Sequence, residues 1–120
     1  MGVQRALRVG DLLKKEISEI VLREFKDPRV GFTTITGVKV SNDLKSAQVF
    51  VSIMSDAHHK ELEVGALNHA ENFVRALLKT RLTLKYIPHL KFVLDETLDY
   101  AENIEHLIDK IKESDQENDL

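Results

Sequence analysis

Residues 72–94 are the most basic part of the chain. They include five Lys or Arg residues and no Asp or Glu. Arg75 and Lys79 are four residues apart and share one face of a predicted helix with Asn68 and Asn72. Cations without acids on the surface of a helix could bind an anion, above all a nucleic-acid backbone. The same stripe could also be only a solvated face.

The rest of the 120-residue chain hides this positive region, because the net charge is −3. Residues 1–71 carry ten basic and ten acidic side chains, whereas residues 95–120 carry two basic and ten acidic ones. The overall pI near 5.9 is therefore an average over a neutral part, a basic part and an acidic end. The local field at the basic part decides what can bind there.

Several functional classes lack their residues. The chain has no Cys, which excludes disulfides and thiol chemistry and fits a reducing cytoplasm. No apolar run is long enough to span a membrane, and no export signal is recognisable. His58 and His59 are adjacent and point apart on a helix, so we expect no metal site there. We expect no cofactor and no metal.

Catalysis has one candidate cluster, namely Asp95, Glu96 and Asp99 with His89 six residues before the first of them. A hydrolytic site needs a matched acid and base, or a nucleophile with its base. No nucleophile motif or phosphate-binding loop occurs, and carboxylates at the start of a helix are favoured by its dipole. We therefore predict that the chain is not an enzyme.

The elements that would position the basic residues follow from periodicity and turn signals. The pattern predicts a single α+β domain over 1–112, with helix, two strands, two helices, a strand and a last helix, followed by an acidic disordered tail at 113–120. The first two strands should be antiparallel, and the third can lie parallel to one of them. The predicted boundaries are a helix at 5–26, strands at 32–41, 46–53 and 91–95, two helices between 61 and 82 with a short break, and a helix at 99–112.

The phase of the apolar residues gives further expectations. Ile35 is out of phase with Val38 and Val40, which predicts a bulge at Gly37. Phe50 lies opposite the core face of its strand and could stack a base or be covered by a helix. The apolar sector of the two central helices is predicted to hold Leu62, Ala66, Ala70, Phe73, Val74, Leu77, Leu78 and Leu82.

At this level the chain resembles the bacterial ribosome-binding factor A family over nearly all of residues 5–112. The resemblance implies a type II KH-like domain with the helices packed on a three-stranded mixed sheet. It also implies a non-enzymatic, monomeric assembly factor that binds the immature small (30S) ribosomal subunit and its 16S rRNA and supports late rRNA maturation, notably in the cold. The stretches that carry it are KDPRVG (26–31), TITGVKVSNDLKSAQVFVS (34–52), FVRALL (73–78) and IPHLKFVLDETLDYAENI (87–104).

KH domains carry a Gly-x-x-Gly loop between two helices. In this family an Ala-x-Gly kink takes its place, and the matching residues here are Ala70, Glu71 and Asn72. Because Asn accepts positive φ more readily than other non-glycine residues, we predict positive φ at Asn72. Arg81 would turn back toward the apolar sector unless the helix ends near Lys79 or its side chain snorkels. The predicted RNA contacts are Asn72, Arg75, Lys79, Arg81, Lys85 and Lys91.

A second function class stays open. The acidic last helix and tail could serve a protein-interaction or regulatory module that does not bind RNA. Salt-dependent RNA binding distinguishes the two, because such a module does not predict it.

Overall fold

The computed structural model describes residues 2–25 and 33–96. The elements are α1 (Gly2–Glu24), β1 (Thr33–Val40), β2 (Ser46–Ile53), α2 (Ala57–His69), α3 (Glu71–Arg81) and β3 (His89–Leu94). The predicted helix at 99–112, the tail at 113–120 and the helix stop at Asp27-Pro28 lie outside the described residues. Within them the predicted order is confirmed, and β2 has the predicted boundaries.

The sheet has the order β1-β2-β3. β1 pairs antiparallel with β2, and β2 pairs parallel with β3. The register between β1 and β2 shifts between Ile35 and Gly37. The bulge predicted from the phase of the apolar residues is thereby confirmed, and it lets both Ile35 and Val40 reach the core.

The helices cover one face of this sheet. α1 packs against β1, α2 and α3 pack against β3, and α1 also contacts α3. The α+β architecture with helices on a mixed three-stranded sheet is confirmed. The fully or nearly fully buried side chains of this core include Leu13, Ile17, Ile20, Val49, Val51, Leu67, Val74, Leu78 and Phe92.

The predicted apolar sector of the central helices is correct only in part. Val74 and Leu78 are fully buried, but Leu62 and Phe73 are 47% and 49% exposed. Leu67, which the sequence pattern did not place in this sector, is fully buried. The two helices change direction relative to each other, so one helical wheel drawn through both assigns some positions to the wrong side.

The change of direction occurs at Ala70. This residue has φ −91° and ψ 11°, which lies in the bridge region that any L residue can adopt. The predicted positive φ at Asn72 is wrong, because Leu44 is the only non-glycine residue with positive φ in the described part of the chain. Asn72 lies in the first turn of α3, so the break needs neither a glycine nor an asparagine.

Asp56 begins α2, as one of the two predicted caps. Its Oδ1 accepts a hydrogen bond of 2.8 Å from the backbone N–H of His59. That hydrogen bond, together with one from the His59 ring, lowers the pKa of Asp56. The cap extends the helix four residues before the predicted start near Glu61.

Candidate nucleic-acid interface

The outer face of the sheet carries a row of three polar side chains. Lys39 pairs in register with Gln48, and Gln48 pairs with Lys91, so the three stand side by side across all three strands. All three are exposed. Since neighbouring strands lie about 4.8 Å apart, the backbones of the two lysines are about 10 Å apart. We call Lys39, Gln48 and Lys91 the cationic row.

An open groove of about 640 Å³ lies along this row. Its two lysines have no carboxylate within ion-pair distance among the described residues. The groove can therefore offer two unpaired ammonium groups to an anion. It is lined by Lys39, Val40, Ser41, Ser46, Ala47, Gln48, Asn68, Glu71, His89, Leu90 and Lys91.

The free edge of β3 borders the groove and is occupied by side chains from the helices. Asn68 Nδ2 donates to the carbonyl of Phe92 at 2.9 Å, and Asn68 Oδ1 accepts from the Phe92 N–H at 2.7 Å. Glu71 Oε1 accepts from the Leu90 N–H at 2.8 Å. An incoming strand or base therefore finds these backbone groups already satisfied.

This edge arrangement gives a first prediction. Asn68→Ala should lower the free energy of unfolding by about 1 to 2 kcal/mol, because it leaves a backbone donor and an acceptor of Phe92 without their partners. Asn72→Ala is the control, since Asn72 is exposed and should change stability by less than about 0.5 kcal/mol. Urea unfolding followed by circular dichroism measures both, and equal effects would contradict the role given to Asn68.

Glu71 turns the interhelical kink away from phosphate binding. Its carboxylate binds the β3 backbone and lies 3.4 Å from Nδ1 of His89. A negative charge at this position opposes a backbone phosphate at the kink. Asn72 is exposed beside it, and nothing in the described chain tests whether it contacts RNA.

Arg75 points into the protein's own loop. Its Nε donates to the carbonyl of Pro88 at 3.1 Å, and its Nη2 donates to the carbonyl of Ile87 at 2.9 Å. Both acceptors come from the segment that leads into β3. The guanidinium therefore holds this segment against α3, which is a structural use of a residue predicted to contact RNA.

Arg81 is surrounded by carboxylates of α1. Its Nη1 lies 3.3 Å from Glu19 Oε2 and 3.6 Å from Glu16 Oε2, and its Nη2 lies 3.9 Å from Glu24 Oε1. Its side chain is 27% exposed. α3 ends at Arg81, so the residue reaches α1 from the helix terminus, and three acids neutralise its charge.

The remaining predicted cations are exposed. Lys79 lies on α3 two turns beyond the kink, and Lys91 belongs to the cationic row. Lys85 lies outside the groove, where its Nζ is 5.6 Å from the centre of the Tyr86 ring. Of the six predicted contacts, the structure therefore places only Lys91 in the groove.

Lys39 and Gln48 were not predicted as site residues because they lie outside the acid-free run. The strand pattern held the signal. Once the bulge at Gly37 is accepted, Lys39 faces away from the core, and the hairpin register places it opposite Gln48. Phe50 lies on the same outer face and is half-buried, which leaves both of its predicted roles open.

The histidines and acids of the described ranges do not form a metal site. No group of three or more His, Asp or Glu side chains within these ranges is placed to hold a metal ion. His59 instead contacts Asp56, its ring Nδ1 lying 2.8 Å from a carboxylate oxygen. No helix within 2–25 or 33–96 has both the length and the apolar character needed to cross a bilayer.

The comparison with known sequences decides the family. Residues 5–108 match the family described as ribosome-binding factor A. The chain belongs to this family. Ribosome-binding factor A of Halothermothrix orenii is 44% identical over 97% of this chain and 95% of its own length. The Thermodesulfovibrio yellowstonii protein is 41% identical over 95% of this chain and 96% of its own.

Solved structures of the family have the same fold. The crystal structure of ribosome-binding factor A from Thermus thermophilus superposes with a TM-score of 0.66 at 26% identity, covering 74% of this chain and 94% of that one. The solution structure of a Thermotoga maritima protein named as a ribosome-binding factor A gives 0.66 at 28% identity, with 74% and 85% covered. Thermus thermophilus coordinates fitted into a cryo-EM map of a 30S complex, at 24% identity and a TM-score of 0.64, share the fold.

Proposed function

We propose that this protein is a non-enzymatic, monomeric assembly factor of the cytoplasm that binds the immature 30S subunit through its 16S rRNA. In this proposal it supports late maturation of that rRNA, also in the cold. Membership of the ribosome-binding factor A family supports the ribosomal partner. The observation that supports RNA as the ligand is the cationic row beside an open groove.

The groove favours contact with the RNA backbone over reading of bases. The two lysines of the row are unpaired cations that suit phosphates. Base reading at the edge strand would need the N–H groups of Leu90 and Phe92, and Asn68 and Glu71 already accept hydrogen bonds from both. Recognition would then depend on the position of phosphates in a folded RNA, with little dependence on sequence at this edge.

The experiment compares two triple variants. Lys39→Gln, Lys79→Gln and Lys91→Gln together remove three exposed cations of the sheet and α3. Each phosphate that the variant no longer neutralises should reduce the slope of log affinity against log salt by about 0.7 to 0.9, so the slope should flatten by about two units. Folding should be nearly unchanged, because exposed charges contribute little stability.

The control variant carries Lys14→Gln, Lys15→Gln and Arg23→Gln, which remove three exposed cations of α1. Binding to immature small subunits and to a 16S rRNA fragment is measured at several salt concentrations, with circular dichroism to check folding. Equal losses of affinity in both variants would mean that net charge alone is responsible and that the groove is not the interface. Failure of the unmodified chain to bind small subunits at any salt concentration would overturn the proposed function itself.

A further inference from the structure

A second cleft lies at the N-terminal end of α1, away from the sheet groove. It has a volume of about 250 Å³ and is formed by α1, the β1–β2 turn and the loop before β3. A shallower depression of about 580 Å³ adjoins it and shares Arg5, Asp43 and Leu44 with it. We call the two together the Tyr86 cleft. Its residues are Gly2, Gln4, Arg5, Arg8, Val9, Asn42, Asp43, Leu44, Leu84, Lys85, Tyr86 and Pro88.

Tyr86 gives this cleft an exposed aromatic surface. The residue is 72% exposed, although tyrosines usually bury most of their ring. Lys85 Nζ stands over the ring at 5.6 Å from its centre. The lysine covers one side of the ring, and the high exposure of the residue leaves ring surface for a stacking partner.

The charge of the Tyr86 cleft is positive. Arg5, Arg8 and Lys85 line it, and Asp43 is the one carboxylate among its lining residues. No ion pair joins these three cations to an acid in the part of the chain that the structure describes. Asp43 is held in the turn, where its Oδ1 accepts from the Ser41 hydroxyl at 2.6 Å and from the Lys45 N–H at 3.0 Å.

The backbone around Asp43 shows that this turn has a defined shape. The hydrogen bonds from Ser41 and Lys45 lower the pKa of Asp43, so it stays ionised at neutral pH. The next residue, Leu44, has φ 62°, and its side chain packs against the core. A non-glycine residue adopts this region only when its surroundings require it. The turn therefore forms a fixed wall of the cleft.

We propose that the Tyr86 cleft binds one unpaired nucleotide of an RNA strand. The base stacks on Tyr86, and the phosphates on either side of it contact Arg5, Arg8 and Lys85. This inference rests on the proposed function, because it supplies a second contact for the same RNA. Cations next to an exposed aromatic ring are the combination that single-stranded RNA-binding surfaces use.

The size and chemistry favour RNA over an acidic protein segment. The deeper part, at about 250 Å³, is smaller than the roughly 300 to 1,000 Å³ usual for drug-sized ligands, which suits a single base. An acidic peptide would use the cations but would leave the exposed ring without a flat partner. It would also face Asp43, which a base stacked on the ring can avoid.

Tyrosine emission can report on this cleft directly. The chain has two tyrosines and no tryptophan. Tyr100→Phe therefore leaves Tyr86 as the only strong emitter in the full-length chain. Titration with a short single-stranded oligouridylate should quench this emission with saturation, because the base stacks on the ring. A duplex RNA of the same length should quench it much less.

Affinity variants supply the second readout. Tyr86→Ala should weaken oligouridylate binding by about five- to a hundredfold, because stacking of one base contributes that much. Tyr86→Phe should bind within about twofold of the unmodified chain, since the ring is retained. Arg5→Gln with Arg8→Gln should weaken binding and flatten its salt dependence by about 1.4 units, at roughly 0.7 per single-strand contact. Circular dichroism confirms that each variant is folded.

The outcomes separate this inference from the proposed function. If the chain binds small subunits, but oligouridylate neither quenches Tyr86 nor binds more weakly to Tyr86→Ala, the cleft is not an RNA site and the proposed function stands. Quenching of equal size by polyglutamate would assign the cleft to acidic segments and would also overturn the inference. Quenching by oligouridylate and not by polyglutamate, together with weaker oligouridylate binding by Tyr86→Ala, supports it.

Discussion

Arg75→Ala is expected to lower the free energy of unfolding by about 2 to 3 kcal/mol, because it removes two hydrogen bonds from a charged donor together. The change leaves the carbonyls of Ile87 and Pro88 without their partner, where the chain enters β3. Both of these residues are buried, so water replaces the missing donor poorly. The midpoint of urea unfolding, followed by circular dichroism, measures the decrease in stability.

Lys79→Ala provides the matched control for Arg75→Ala. It removes a cation from the same face of α3 one turn later, and Lys79 is exposed, so stability should change by less than about 0.5 kcal/mol. Arg75→Lys should recover only part of the stability, because an ammonium cannot span two acceptors as the planar guanidinium does. An Arg75→Ala protein as stable as the unmodified one but deficient in RNA binding would return Arg75 to the interface.

The two arginines show why the acid-free run misled the prediction of the site. Arg75 has its acceptors 12 and 13 residues further along the chain, and Arg81 finds an acid 62 residues earlier. A search for acids within the run cannot see partners that only the folding of α1 against α3 brings close. Helical periodicity correctly placed Arg75 away from the core but could not show what lay opposite.

The strands were predictable because their signal is local. Alternation in β2 places Ala47, Val49, Val51 and Ile53 inside, and the break of phase in β1 identifies the bulge. With the register known, the cationic row could also have been predicted. The start of β3 was less clear, because His89 and Leu90 follow directly after Pro88 and were assigned to the loop.

The bend between α2 and α3 depends on packing that the sequence does not display. A glycine or asparagine with positive φ was one way to break the helix, and the chain uses another. Ala70 adopts φ −91° and ψ 11°, with its N–H donating to the carbonyls of Ala66 and Leu67 at 3.1 Å. Asn68 and Glu71 on either side then bind the β3 edge, so contacts with the sheet determine where the helices part.

Gly10 is the position where the smallest substitution is expected to be harmful. α1 crosses β1 so closely that a Cβ at Gly10 would lie 2.9 Å from the backbone carbonyl oxygen of Val38. A backbone atom in a paired strand cannot turn aside, so α1 would have to shift away from the sheet. Such overpacking typically lowers stability by about 1 to 3 kcal/mol.

Helix propensity alone predicts the opposite result, since alanine is favoured over glycine in a helix interior by about 1 kcal/mol. Gly65 in α2 separates the two effects, because a Cβ there meets nothing within 4 Å. Gly65→Ala should therefore raise stability by about 0.5 to 1 kcal/mol, while Gly10→Ala lowers it. Thermal and urea unfolding of the two single variants give the signs. A gain of stability in both would mean that α1 does not approach β1 as closely as the structure shows.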